Sequence, residues 1–359
     1  MKKVVFSVLA SLTLLTGSAQ LHKNFYPSEE EAAAMLIEAD DFIDSMPDGF
    51  QDRQADAIYH AIRGRLSELE KFRGNKNAII PSSDSVKIEE INGSGDTYGI
   101  RMLLYTLKDN TTPLPLLIYF HGGGWCAGGI SSSSSFCESL AKTGKAIVLS
   151  VDYPLAPENP FPSAILRCRA SIEYAASRLK DWNASSLNVG GDGAGGNLAL
   201  ASTLSLLEAG KEDSFKTIGS LVLYYPIVKS SSEKIGSWKK FARGYGLDSR
   251  LMEAYVMAYL SSTPQNNSND TKANALISPI LADDEILKRL PTIFIINAER
   301  DILLDQGREF SERLKSLGIK VEPVVFPGAV HSFVTNQGQQ TAFSKAVSLT
   351  AAFLSSIDE

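Results

Sequence analysis

The chain has 359 residues, 44% of them hydrophobic and 21% charged, with a net charge of −6 at pH 7. That balance rules out a disordered chain, and the acidic charge argues against a basic stripe that would grip nucleic acid. Three cysteines in this length make no disulfide scaffold, and with no C-x-x-C pair they make no zinc site. The histidines His22, His60, His121 and His331 form no spaced ligand pair, so neither a metal nor an organic cofactor is indicated.

In chain order, Lys2 and Lys3 precede an apolar run, Val4 to Leu15, and then the small residues Gly17, Ser18 and Ala19. This is the layout of a secretory signal peptide over residues 1–19, cleaved after Ala19. The run is shorter than the roughly 20 residues of a membrane span, so no stable membrane anchor is expected. The mature chain, from residue 20, is expected to be secreted or periplasmic. In that oxidising setting Cys126, Cys137 and Cys168 can form at most one pair.

From Ser28 to Arg73, apolar residues recur at helical spacing, interrupted at Pro47 and Gly49. Residues Val86 to Leu107 read as extended, with a turn at Gly93–Asp96. Apolar runs follow at Leu114–Phe120, Ala146–Val151, Ser186–Gly190, Ile218–Tyr225, Thr292–Ile296 and Val321–Phe326. Amphipathic stretches at Ala164–Leu179, Asn197–Glu208, Gln306–Leu317 and Thr341–Leu354 lie between or after them. This alternation predicts an α/β fold, a mostly parallel sheet with helices on both faces. Ser231–Ala275 breaks the rhythm and reads as an insertion with a helical middle, Ser249–Tyr259, then the polar run Thr263–Asn267. Ser131–Ser135 reads as a flexible loop.

Three motifs sit at strand ends. His121-Gly122-Gly123-Gly124 follows the strand ending at Phe120; consecutive glycines there leave backbone N–H groups free to face a cavity, which suits an oxyanion hole or a plain glycine-rich turn. Gly191-Asp192-Gly193-Ala194-Gly195 lies between a strand and a helix, the setting of a nucleophile elbow, with Gly193 at its centre. Gly191, Gly193 and Gly196 meet the dinucleotide fingerprint G-x-G-x-x-G only loosely, and no acidic residue about 20 positions on completes it. Asp301, with Asp305 just beyond, and then His331 follow the last two strands, giving the order elbow, carboxylate, histidine.

These motifs together, HGGGW (121–125), DYPLAPENPFP (152–162), GDGAGGN (191–197), ERDILLD (299–305) and HSF (331–333), resemble the hormone-sensitive-lipase-type esterases of the α/β-hydrolase superfamily. The resemblance covers roughly residues 113–359. It implies a single α/β-hydrolase domain over residues 20–359, capped by about 28–75 and 231–275, and a small-molecule ester or acylated ligand of short to medium acyl length. It also implies an oxyanion hole from Gly122, Gly123, Gly124 and the N–H of Ala194, with His331 as general base oriented by Asp301. Trp125, Phe136 and Phe161 are candidates for shaping the pocket.

The family's nucleophilic serine falls at Gly193. Without a hydroxyl there is no acyl-enzyme, and loss of such a serine costs around 10⁶-fold in turnover. Serine-esterase activity is therefore expected to be impaired or absent, leaving either a weak hydrolase or a pseudoenzyme that binds its ligand. Cys126, Asp192 and the Ser131–Ser135 tract are the candidates to stand in as nucleophile. Alternatively, His331 could activate a water.

Overall fold

The computed structural model describes residues 26–73, 83–97, 99–230, 236–261 and 274–358. The signal-peptide reading of residues 1–19 and the polar run 263–267 lie outside the described residues.

Eight strands form one sheet: β1 (Val86–Asn92), β2 (Arg101–Leu107), β3 (Leu114–Phe120), β4 (Ile147–Val151), β5 (Ala184–Asp192), β6 (Ile218–Tyr224), β7 (Thr292–Arg300) and β8 (Val321–Val330). Their spatial order is β1-β2-β4-β3-β5-β6-β7-β8. Strand β2 is antiparallel to both neighbours, and every pairing from β4 across to β8 is parallel. The main helices are α1 (Glu29–Ser45), α2 (Phe50–Ile62), α3 (Ser134–Lys142), α4 (Ser163–Arg178), α5 (Ala194–Glu208), α6 (Ser249–Tyr259), α7 (Leu304–Ser316) and α8 (Gln340–Asp358).

The sequence of β3 shows why the sheet is covered on both sides. Leu116, Ile118 and Phe120 enter one core, and Leu117 and Tyr119 enter the other. In β7, Ile293 and Ile295 face the first core, Phe294 and Ile296 the second. A strand buried on both faces must be apolar at every position, which produces the unbroken apolar runs. Residues of α4, α5 and α7 pack into the first core, those of α3 and α8 into the second. Residues 194–207 of α5 are all buried, so this helix is not the amphipathic one its sequence suggested; its polar residues Asn197, Ser202, Thr203 and Ser205 are buried with the rest.

Two further local expectations change. The elbow strand runs on to Asp192, and α5 begins at Ala194 rather than Asn197. The small residues after the turn allow this early start: a side chain at Gly195 would run into the carbonyl of Phe120 at the end of β3. The Ser131–Ser135 tract is not a loose loop. It forms a turn that becomes α3 at Ser134, with Ser133 fully buried. The Ser132 and Ser134 hydroxyls donate to the carbonyls of Gly129 (2.6 Å) and Ser131 (2.9 Å).

All three cysteines are free and buried. Burial raises each thiol above its ordinary range, Cys137 up to about 12. None is expected to react with Ellman's reagent at pH 8 in the native protein, and all three should react once it is unfolded in guanidinium. Prompt release of one equivalent by the folded chain would contradict this burial.

Candidate active site

The turn between β5 and α5 places Gly193 at φ 52° and ψ −111°. Its N–H donates to the carbonyl of Tyr224 (3.0 Å), and its carbonyl accepts from the N–H groups of Asn197 (3.1 Å) and Ile227 (3.2 Å). The Asn197 side chain ties the turn further by donating to the carbonyls of Ile227 (2.8 Å) and Ile277 (3.1 Å). A Cβ built on Gly193 would lie 3.6 Å from His331 Nε2 and 4.0 Å from the Tyr225 ring, ordinary contact distances. A side chain at this position would thus point at the imidazole. Any L-residue here bears a positive φ, at a cost of about 1–3 kcal/mol that glycine does not incur.

His331 lies just past the end of β8, and its Nδ1 is 2.7 Å from Asp301 Oδ2. Asp301 is 1% exposed, and its other oxygen accepts the N–H of Leu303 at 2.9 Å. With Nδ1–H given to the carboxylate, Nε2 presents its lone pair to the cavity. The Tyr225 ring packs against the imidazole with centroids 4.5 Å apart. Asp305 is not part of this pair. It accepts the N–H of Ser237 (2.6 Å) and so anchors the start of the insertion's described part.

The glycine loop after β3 divides its labour. Gly122 does not offer its N–H to a ligand, because that group already donates to Asp192 Oδ1 at 2.9 Å. The N–H groups of Gly123, Gly124 and Ala194 have no acceptor among the described residues, and all three residues line the same cavity as His331. Ala194 is the first residue of α5, so its N–H also carries the positive end of the helix dipole. Gly124 must be glycine for a second reason: a side chain there would run into the Tyr255 ring.

Asp192 is buried at the edge of the cavity, which it lines, and also accepts the Tyr119 hydroxyl at 2.8 Å. Burial raises its carboxyl above the ordinary aspartate range, against the lowering pull of Tyr119, His121 and the Gly122 N–H. Its role is to hold the loop to the elbow, so it is no nucleophile. Cys126 is excluded as well: it is fully buried, does not line the cavity, and donates its S–H to the carbonyl of Tyr255. Ser132 does line the cavity, but its hydroxyl is committed to Gly129.

The cavity, about 250 Å³, is closed by residues far from the motifs in sequence. Phe42, Met46 and Phe50 come from the α1–α2 corner, and Leu251, Met252 and Tyr255 from α6. The two helices are clasped together. Gln54 donates to the Tyr255 hydroxyl (2.8 Å), Gln51 accepts the N–H of Asp248 (2.5 Å), and Arg250 pairs with Asp52 and Asp56. Helix α1 is fixed to the body by Glu38, which accepts from both the N–H and the hydroxyl of Thr341, and by the Asp40–Arg300 pair.

The resemblance gave the two segments, about 28–75 and 231–275, from which these residues come, but not the individual side chains; within the second segment, Leu251, Met252 and Tyr255 follow an apolar i, i+1, i+4 pattern. The three aromatics proposed to shape the pocket do not line it. Trp125 stacks on Tyr259 at 4.5 Å, Phe161 packs edge-on against the same ring, and Phe136 lies in the core between Tyr119 and Tyr224. They are apolar enough to be taken by the core before the pocket.

A parallel sheet, a strand–turn–helix elbow, and a buried carboxylate–histidine pair from the next strands define a hydrolase of the α/β type. Residues 117–335 match the family described as alpha/beta hydrolase fold, and the chain belongs to that family. It is similar to the arylesterase of Saccharolobus solfataricus, 28% identical over 280 residues, which cover 77% of this chain and 84% of the relative. It is also similar to the carboxylesterase NlhH of Mycobacterium tuberculosis, 32% identical over 230 residues, 64% of this chain and 68% of the relative. Among solved structures, an esterase of Pyrobaculum calidifontis superposes with a TM-score of 0.69 at 28% identity, covering 85% of this chain and 94% of that one. These relatives agree with the resemblance to hormone-sensitive-lipase-type esterases.

Gly193→Ser is expected to lower stability by about 1 kcal/mol, the backbone strain less what a new hydrogen bond to His331 returns. Asp192→Ala is expected to cost more, because it leaves the Tyr119 hydroxyl and the Gly122 N–H buried without a partner, about 1–3 kcal/mol each. Denaturant unfolding of the two variants beside the parent measures both. A more stable Gly193→Ser variant would contradict elbow strain at this position.

Proposed function

We propose that the cavity binds carboxylic esters of short to medium acyl length and that serine-esterase turnover is impaired or absent in this chain because position 193 is glycine. The observation that carries this is the direction of the missing side chain. A group on Gly193 would point at His331 Nε2 from 3.6 Å, so the site is built around a nucleophile that the sequence does not supply. The rest of the cavity supports an ester as ligand. Phe42, Phe50, Leu251 and Met252 give an apolar wall for an acyl chain, Thr335 and Asn336 give polar groups, and the Gly123, Gly124 and Ala194 N–H groups suit a carbonyl oxygen. The names of the relatives, arylesterase and carboxylesterase, point to the same class.

In a serine-bearing variant, Oγ would attack the ester carbonyl while His331 takes its proton, and Asp301 would hold the resulting imidazolium. A second reading is a binding protein that retains an acylated or aromatic ligand without turnover, favoured by the same lack of a hydroxyl. The leader-like pattern of residues 1–19 supports a secreted or periplasmic setting for either.

The Gly193→Ser variant is expected to hydrolyse p-nitrophenyl butyrate at least about 10²-fold faster than the parent, given the far larger penalty for removing such a serine. The parent should show an upward thermal shift with a non-hydrolysable butyrate analogue. No gain of activity in a folded Gly193→Ser variant, together with no shift in the parent, would overturn the ester-site reading. Esterase turnover by the parent at the rate of the serine variant would show that another nucleophile serves.

A further inference from the structure

Gly193 removes the nucleophile but leaves the rest of the catalytic apparatus in place. The His331–Asp301 pair is closed at 2.7 Å, and Asp301 is held from its other oxygen by the Leu303 N–H. A histidine whose partner carboxylate is intact retains the tautomer and orientation of a general base. Gly123, Gly124 and Ala194 line the same cavity as His331, and their N–H groups have no acceptor among the described residues. The Cβ of a hydroxymethyl group on Gly193 would sit at ordinary contact distance from His331 (3.6 Å) and the Tyr225 ring (4.0 Å). A water takes about 30 Å³, close to what such a group displaces, and can accept a place about 2.8 Å from Nε2.

We infer that this chain hydrolyses bound esters in one step, with a water activated by His331 Nε2 in the position of the family's serine hydroxyl and no acyl-enzyme. The inference rests on the ester-site reading above. The water oxygen forms a bond to the carbonyl carbon as one of its protons passes to Nε2. The carbonyl electron pair moves onto the oxygen held by the Gly123, Gly124 and Ala194 N–H groups. On collapse, the carbon–alkoxy bond breaks and the proton on Nε2 passes to the leaving oxygen. The products are a carboxylic acid and an alcohol, with His331 neutral again. The positive charge that forms on His331 meanwhile is paired with Asp301.

The covalent route gains its speed from a tethered nucleophile, and a water held by one nitrogen is less fixed. General-base assistance contributes about 10²–10⁴-fold, and preorganised oxyanion donors about 10²–10³-fold. The expected rate is therefore well above that of the ester in buffer and far below that of the Gly193→Ser variant.

The test follows hydrolysis of p-nitrophenyl and phenyl butyrate by the full chain. His331→Ala is expected to lose about 10²-fold or more of the parent's rate. Gly193→Ala is expected to lose a similar factor, because its methyl occupies the water's position. The Gly193→Ser variant bears the same backbone strain and, by its activity, serves as the folding control. A serine-directed phosphonate should inactivate Gly193→Ser and leave the parent's rate unchanged. With added hydroxylamine, the ratio of hydroxamate to acid should differ between the two leaving groups in the parent. It should be the same for both in Gly193→Ser, where a common acyl-enzyme partitions.

A parent that binds the butyrate analogue but hydrolyses no faster than His331→Ala overturns the water route and leaves the ester-site reading standing. A leaving-group-independent ratio, or phosphonate inactivation, in the parent also overturns it by revealing a covalent intermediate. A parent that binds no analogue overturns both.

Discussion

The buried carboxylate of Asp192 fixes the geometry on which the site depends. It ends β5 one residue before the elbow, and it takes the N–H of Gly122 and the hydroxyl of Tyr119 from the neighbouring strand β3. A carboxylate this buried is tolerated only when its lone pairs are occupied. Satisfying it draws the glycine loop against the elbow, so that Gly123, Gly124 and Ala194 line one cavity. The small residues after the turn serve the same end, since they let α5 begin directly under the carbonyl of Phe120.

The cap helices share the apolar core, through Ala55, Ile58 and Ala61 of α2 and Leu251, Ala254 and Ala258 of α6, and polar groups add a clasp between them: Gln54 with Tyr255, Gln51 with Asp248, Arg250 with Asp52 and Asp56. Exposed ion pairs contribute little each, so the clasp fixes orientation more than stability. It sets the Tyr255 ring against Gly124 and brings the apolar side chains of Leu251 and Met252 into the wall of the cavity that His331 also lines.

Gly193 then gains a meaning that its position in the chain alone would not give it. The turn holds position 193 at a positive φ, which glycine adopts at little cost and an L-residue only with strain. The surrounding frame, including the Tyr224 and Asn197 backbone bonds and the His331–Asp301 pair, does not need the side chain in order to form. The frame thus forms without a side chain at position 193, and a serine there would add a hydroxyl at the cost of backbone strain.

The sequence by itself determined the α/β class, the elbow, and the identities of Asp301 and His331. Apolar runs such as Leu114–Phe120 follow from burial on both faces of a parallel sheet, and catalytic groups on loops after successive strands keep their chain order. It also located the centre of the strand–turn–helix at Gly193, from the glycines around it. Only the tertiary structure decided which residues close the site. Asp192 holds the loop because the pleat sets it beside Tyr119, about seventy positions away. Gly122 loses its donor to that carboxylate. Trp125, Phe136 and Phe161 go to the core, while Tyr255 and Gln54, some two hundred residues apart, meet over the cavity. Local periodicity records which face of an element is apolar. It carries no record of which distant element will cover that face, because that depends on how sheet and helices pack together.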